Sequence, residues 1–250
     1  LLRGGNRSAP KRHHTLLAVI EWSWDLLSHG AQELLPRLAL FPDGFTMSAA
    51  ETMAPDGRAD EVLDDLAELV EQSLVQLVER DGEGVRYRLL ETVREFGRLR
   101  LESESALETV RGAMIAWGAA FGTEHQALRE VGAAQMRLFN ETRSEVDNLV
   151  VILRWALSAG DAGAVAGIFA ALGTHWSMRG THSEILAVAQ DVFDVLDGVA
   201  LPSDPLARDT LFTALVAAAS WSAFGSQRLA ARFRRTLRLL TEQGWPEDAL

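Results

Sequence analysis

Cysteine is absent from the 250 residues. The chain therefore has no disulfide framework, no thiolate metal site and no cysteine nucleophile, which fits a reducing cytoplasm. Lysine is almost absent too. The only one is Lys11, in APKRHH, and Pro10 rather than glycine precedes it. A phosphate-cradling loop needs glycine-rich backbone leading into Lys and a hydroxyl residue, so ATP hydrolysis is not expected of this stretch. Long apolar runs are missing as well. The longest, LFTALVAAASWSAF at 211–224, is too short to span a bilayer and reads as a buried helix. No N-terminal apolar segment resembles a signal peptide, and no membrane partner is expected.

Other absences concern chemistry. No G-x-S-x-G or related strained serine turn occurs, so no hydrolytic triad is nominated. Among six histidines, His13 and His14 are neighbours that point to opposite sides of an extended chain. His175 and His182 straddle the turn WSMRGT with Glu184 just beyond, at a spacing that matches no usual metal pattern. We expect no catalytic residue, no metal, no cofactor and no enzymatic activity in this chain. With 24 basic and 35 acidic residues, the net charge is −11. That balance argues against a whole-surface nucleic-acid binder, because neutralising phosphates needs a basic face. Two local exceptions are RGGNRSAPKRHH near the start and QRLAARFRRTLRLL near the end.

What is present is a folded, mainly α chain. Apolar residues make up 48% and mean hydropathy is +0.02, an ordinary globular balance. Residues 1–14 lack periodicity and read as a linker. From Thr15, a plausible N-cap, TLLAVIEWSWDLLS places Leu16, Val19, Ile20, Ser23 and Leu27 at helical spacing. AQELLPRLALF follows, with a kink expected at Pro36. Thr46 or Ser48 then caps SAAETMA. DEVLDDLAELVEQSLV directs Val62, Leu63, Leu66, Leu69 and Val70 inward. LVQLVER and VRYRLL alternate around the turn signal DGEG, which predicts a β-hairpin. A lone hairpin is marginal in water and must lay its apolar face on those helices. Helices followed by a hairpin are the layout of a winged-helix domain, placed at 15–103. Helices broken by SAGDAG, MRGTHS and FGSQRL fill 104–250. They read as an α-solenoid of tetratricopeptide-like pairs, with a compact bundle as the second reading.

Several segments carry a family likeness. In order, RHHTLLAVIEWSWDLLS, LLPRLALFPDGFTMSAAE, VLDDLAELVEQSLVQ and YRLLETVREFGRLRL resemble the winged-helix region of bacterial signal-transduction ATPases with numerous domains. These are large transcriptional regulators of the AfsR and LuxR-like type, related to NB-ARC proteins. EVDNLVVILRWALSAGDAGAVAGIFAALGTHWSMRGTHSE resembles the start of their helical-repeat sensor. The resemblance implies a fragment of a longer cytoplasmic regulator, preceded by an ATPase module that binds ADP or ATP. That module would be an intramolecular partner of the winged helix, and an inducer or protein would dock on the repeats. It also aligns RLLETVREF with a Met-His-Asp motif of relatives, Leu90 taking the His place and Glu91 the Asp place. Leu90 cannot contact a phosphate as that His does, and Glu91 suits the start of its own helix. The alternative is a stand-alone helical-repeat scaffold for protein–protein interaction.

Trp155, Trp176 and Trp221 fall in different repeat helices, and with Arg179 they are candidates for a ligand groove, set against the reading that each fills core. Trp22 and Trp24, two apart, cannot share a face, so one is core and the other lies at a domain contact. Arg228, Arg232 and Arg235 recur at i, i+4 and i+7, as a partner-binding face or a solvated one. In a DNA-reading winged helix, DEVLDDLAELVEQSLV would enter the major groove. It carries Asp60, Glu61, Asp64, Asp65, Glu68 and Glu71 and no basic residue. On charge alone, direct DNA contact is not expected.

Overall fold

The computed structural model describes residues 9–55, 57–80, 84–126 and 130–225, together with 231, 236, 238 and 242. It is mainly helical, with one two-stranded antiparallel hairpin in a winged-helix domain and a helical region after it. Two compact units are present, Leu1–Ala113 and Met114–Leu250. The division falls inside a helix, ten residues beyond the domain boundary read from the sequence.

Helix α1 (Ala9–Asp25) starts inside the stretch expected to be linker. Pro10 lies in its first turn, where a missing N–H costs nothing, and no breaker follows. Thr15 is therefore an interior residue and not an N-cap. Trp24 is buried and meets Phe96 edge-on at 5.3 Å, while Trp22 is 66% exposed. Val19, expected inward, is exposed with it. Ser28 caps α2 (His29–Leu38) by accepting from the Ala31 N–H at 3.3 Å. Thr46 caps α3 (Met47–Met53) in the same way at 3.2 Å. A short 3₁₀ turn, Ala59–Glu61, leads into α4 (Val62–Glu71). Val62, Leu66 and Leu69 are buried there, but Leu63 is 62% exposed, so the apolar stripe is narrower than its composition implied.

Strands β1 (Val75–Arg80) and β2 (Gly84–Leu89) pair in register from Val75–Leu89 to Arg80–Gly84. Helix α5 (Glu91–Ser103) packs on α1 and α2. Helices α6 (Leu107–Glu124), α7 (Ala133–Ala159), α8 (Ala162–Arg179), α9 (His182–Leu196) and α10 (Pro205–Gly225) follow. Gly160 and Gly180, both left-handed, end α7 and α8, and Asp161 caps α8 through the Ala164 N–H at 3.0 Å. Helix α8 is buried without interruption from Ala164 to Trp176 and packs on α7, α9 and α10. No described helix is long and apolar enough to cross a membrane.

Candidate nucleic-acid interface

The site is built on α2, α3, α4 and the wing formed by β1 and β2. The wing is joined to the turn between α2 and α3. Phe45 and Tyr87 exchange backbone hydrogen bonds, 2.9 Å from the Phe45 N–H and 2.8 Å from the Tyr87 N–H, and their rings stack at 5.8 Å. Gly44 has φ +74°, and a Cβ there would lie 2.2 Å from the Tyr87 carbonyl oxygen, so only glycine suits both the turn and the close approach. Buried Arg86 donates from Nε to the Asp43 carbonyl at 2.9 Å and from an Nη to the Gly44 carbonyl at 3.0 Å. Arg88 pairs with the Asp43 carboxylate beside it.

This arrangement sets an expectation. Arg86→Met should lower stability by about 2 kcal/mol, because it strands carbonyls that a charged donor had satisfied. Arg88→Met, removing a more exposed pair, should cost under about 1 kcal/mol. Thermal unfolding of the two variants checks the contrast.

The acids of the α4 segment are not equivalent. Arg58 binds Glu61 at 2.6 Å, Glu33 of α2 at 3.0 Å and Asp65 at 3.4 Å. The hydrogen bond to Glu61 is the largest influence raising the Arg58 pKa. Burial raises that of Asp65, opposed by the Arg58 charge. Glu68 accepts from the Ser28 N–H at 2.8 Å and from its hydroxyl at 2.5 Å, placing a carboxylate at the start of α2. Glu61, Asp65 and Glu68 are thus engaged within the domain. Leu63, Asp64, Ala67 and Glu71 form the exposed part of α4.

The other nominated residues separate. Leu90 is 48% exposed at the N-cap of α5 and makes no side-chain cap, and Glu91, the acidic first residue of that helix, pairs with Arg94 at 2.7 Å. Trp176 is 6% exposed and packs edge-on against Phe169 at 6.4 Å, so it is core. Arg179 is exposed one turn further on, Trp155 is half-buried in α7, and Trp221 belongs to α10. Arg228, Arg232 and Arg235 lie outside the described residues. Among the described residues, no His/Cys/Asp/Glu group could hold a metal ion. The roles of Arg58 and Arg86 were missed by sequence reasoning; Arg86 had a signal in its place inside the alternating run VRYRLL.

Residues 27–102 match the family described as "Winged helix-turn-helix domain". A "Putative HTH-type transcriptional regulator" of Mycobacterium tuberculosis (strain ATCC 25618 / H37Rv) is 36% identical over 169 residues, covering 64% of this chain and 18% of that protein. The like-named protein of Mycobacterium bovis gives the same figures. An "Uncharacterized protein" of M. tuberculosis is 33% identical over 113 residues, 44% of this chain and 28% of that one. The chain spans less than a fifth of the length of the regulators it matches. No solved structure matches it.

These likenesses overturn the expectation of no direct DNA contact, since a winged helix-turn-helix domain in proteins named as HTH-type regulators points to DNA binding. The physical reason for the error is in the geometry. The charge count treated every acid of the α4 segment as facing phosphate, whereas Glu61, Asp65 and Glu68 are held by Arg58 and the start of α2. Residues 27–102 are a winged helix-turn-helix domain, and the likeness of the chain to HTH-type transcriptional regulators supports a regulatory role.

Proposed function

We propose that this chain is the DNA-facing and sensing part of a larger transcriptional regulator. The winged helix would meet the duplex and the helical unit would receive the signal. One observation carries the reading: α2, α3, α4 and the wing coincide with the matched domain, and Arg58 and Ser28 withdraw three carboxylates from the acid cluster of α4.

The exposed chemistry of α4 suggests how bases would be read. Carboxylates accept from the N4 amino group of cytosine in the major groove, a role open to Asp64 and Glu71. They add no affinity for phosphate. Affinity would come from flanking arginines such as exposed Arg98 on α5 and from the basic run RGGNRSAPKRHH. We further propose an ATP-dependent parent protein, with ADP or ATP on a separate module and a ligand or partner on the helical unit. The resemblance in the segments quoted above supports this, as does the length of the matched regulators.

Selection from randomised duplexes, followed by anisotropy titrations at several salt concentrations, tests the DNA reading. The expected result is an enriched cytosine-containing site whose affinity falls steeply with salt. Asp64→Ala should relax the preference at a single base pair, changing discrimination by about 1–3 kcal/mol. Recovery of no enriched sequence at low salt would remove DNA binding from this chain.

A further inference from the structure

We propose that the helical unit binds a small, neutral, apolar molecule of about benzene's size, in a pocket where the starts of α8 and α10 meet the end of α6. The inference deepens the signal-receiving role proposed for this unit and rests on that reading for its biological meaning.

The pocket has a volume of about 160 Å³. Ala166 of α8 and Thr210 and Leu211 of α10 form its buried floor, while Gly163 and Ala207 stand exposed at its mouth. The segment between α9 and α10 supplies a further wall through Pro202. Glycine and alanine at these places leave the space open where longer side chains would fill it. The wall is also tied down. Arg208 donates from Nε to the Pro202 carbonyl at 3.2 Å and from an Nη to the Ser203 carbonyl at 3.3 Å, which fastens the segment to α10. Protein interiors ordinarily close such spaces, because an unfilled one forfeits packing contacts. A pocket kept open by small residues and a pinned wall is suited to an occupant.

The lining selects the kind of occupant. Its hydroxyl groups are engaged within the protein. The Thr123 hydroxyl donates to the Ala119 carbonyl at 2.8 Å. That of Thr210 donates to the Leu206 carbonyl at 2.7 Å and accepts from buried Gln126 at 2.6 Å. A polar ligand would therefore find few partners. Two helix starts side by side would ordinarily favour an anion. Here each already has a carboxylate: Asp161 accepts from the Ala164 N–H at 3.0 Å, and Asp204 from the Ala207 N–H at 2.7 Å. A bound anion would meet both negative charges. A cation would lose its water on the apolar floor without gaining a buried partner. A neutral apolar molecule gains the contacts of the floor and gives up no hydrogen bond. The volume sets its size, matching that of cavities that hold benzene and leaving no room for a helix or strand of a partner.

The experiment titrates the full chain with toluene and follows the methyl resonances of Ala162, Ala166 and Ala207, which line the pocket. Benzoate and benzylammonium, similar in shape and opposite in charge, are run beside it at one pH and ionic strength. Toluene is expected to shift these resonances saturably, and each charged analogue to bind at least about tenfold more weakly. At Gly163 an added Cβ would meet only the Asp161 carboxylate within 4 Å, at 3.6 Å, so Gly163→Leu keeps the fold. It should lower toluene affinity by about tenfold or more as the mouth fills. Ala166→Leu, which fills the floor, should act in the same way on the Ala162 and Ala207 signals. Shifts that stay linear up to the solubility limit of toluene would overturn the site. So would equal binding of either charged analogue, or an affinity unchanged by both substitutions. Duplex affinity is read on the same samples. Saturable toluene binding with unchanged duplex affinity leaves the pocket standing and removes its link to regulation. Failure to bind DNA at all does not touch the titration.

Discussion

Acidification from pH 7 to pH 4 should weaken the helical unit by about 3 kcal/mol through His175 alone. Burial is the largest force holding this imidazole neutral, and the Arg179 charge is the next. The backbone of Phe139 pulls the other way, and Arg143 adds to the depression. Together they hold the pKa at about 4, against an ordinary 6.5. The unfolded chain takes up this proton near pH 6.5, and the folded chain refuses it until about pH 4. In that window the unfolded state binds more protons, so stability is fully present above pH 6.5 and declines as pH falls toward 4. Urea unfolding at intervals across the window gives the slope, and His175→Phe supplies the control because it keeps a ring against Phe139 and cannot titrate. The difference between the two profiles should appear between pH 6.5 and 4. Parallel profiles would mean that the imidazole is not the source.

His175 also illustrates what a sequence conceals. In ALGTHWSMRG it is one of six histidines, with nothing to mark it as buried. Its environment depends on Phe139, 36 positions earlier, arriving on the same side of a helical hairpin. Features that depend on near neighbours were legible. Thr46 was one of the two caps named, the alternating runs around DGEG marked the hairpin, and the two-residue spacing of Trp22 and Trp24 put one of the two rings in the core. The error on DNA contact came from the opposite situation. Whether an acid on α4 is free depends on Ser28, 40 residues before Glu68, and on Arg58 in a preceding loop. Charge counting along a helix assigns all its acids to solvent, whereas the tertiary fold had already engaged three of them. Helix α1 was cut short for a local reason: Gly, Pro and Arg together look like linker, yet Pro10 sits where a first turn accepts it.

Gly122→Ala should destabilise the helical unit by about 3 kcal/mol, the high end for an overpacked core. A Cβ at Gly122 would lie 2.2 Å from the Gly167 carbonyl oxygen, 2.5 Å from its carbon and 2.9 Å from the Ile168 Cα. All three atoms are backbone, so no rotamer change relieves the collision and α6 would have to move away from α8. Seen from α8, a Cβ at Gly167 would fall 2.7 Å from the Ala119 carbonyl oxygen. Two glycines therefore face each other where the helices cross. The same substitution ten residues earlier has the opposite sign. A Cβ at Gly112, also in α6, meets nothing within 4 Å. There alanine gains the ordinary helix preference of about 0.8–1 kcal/mol over glycine. Both variants alter one methyl group in one helix, so intrinsic helix propensity predicts stabilisation for each. Chemical unfolding of the pair separates the causes: if Gly122→Ala matches Gly112→Ala, the close crossing of α6 and α8 is not what demands glycine. If it loses stability while Gly112→Ala gains, the residues GTE and AGIF hold the helical unit by letting two backbones touch.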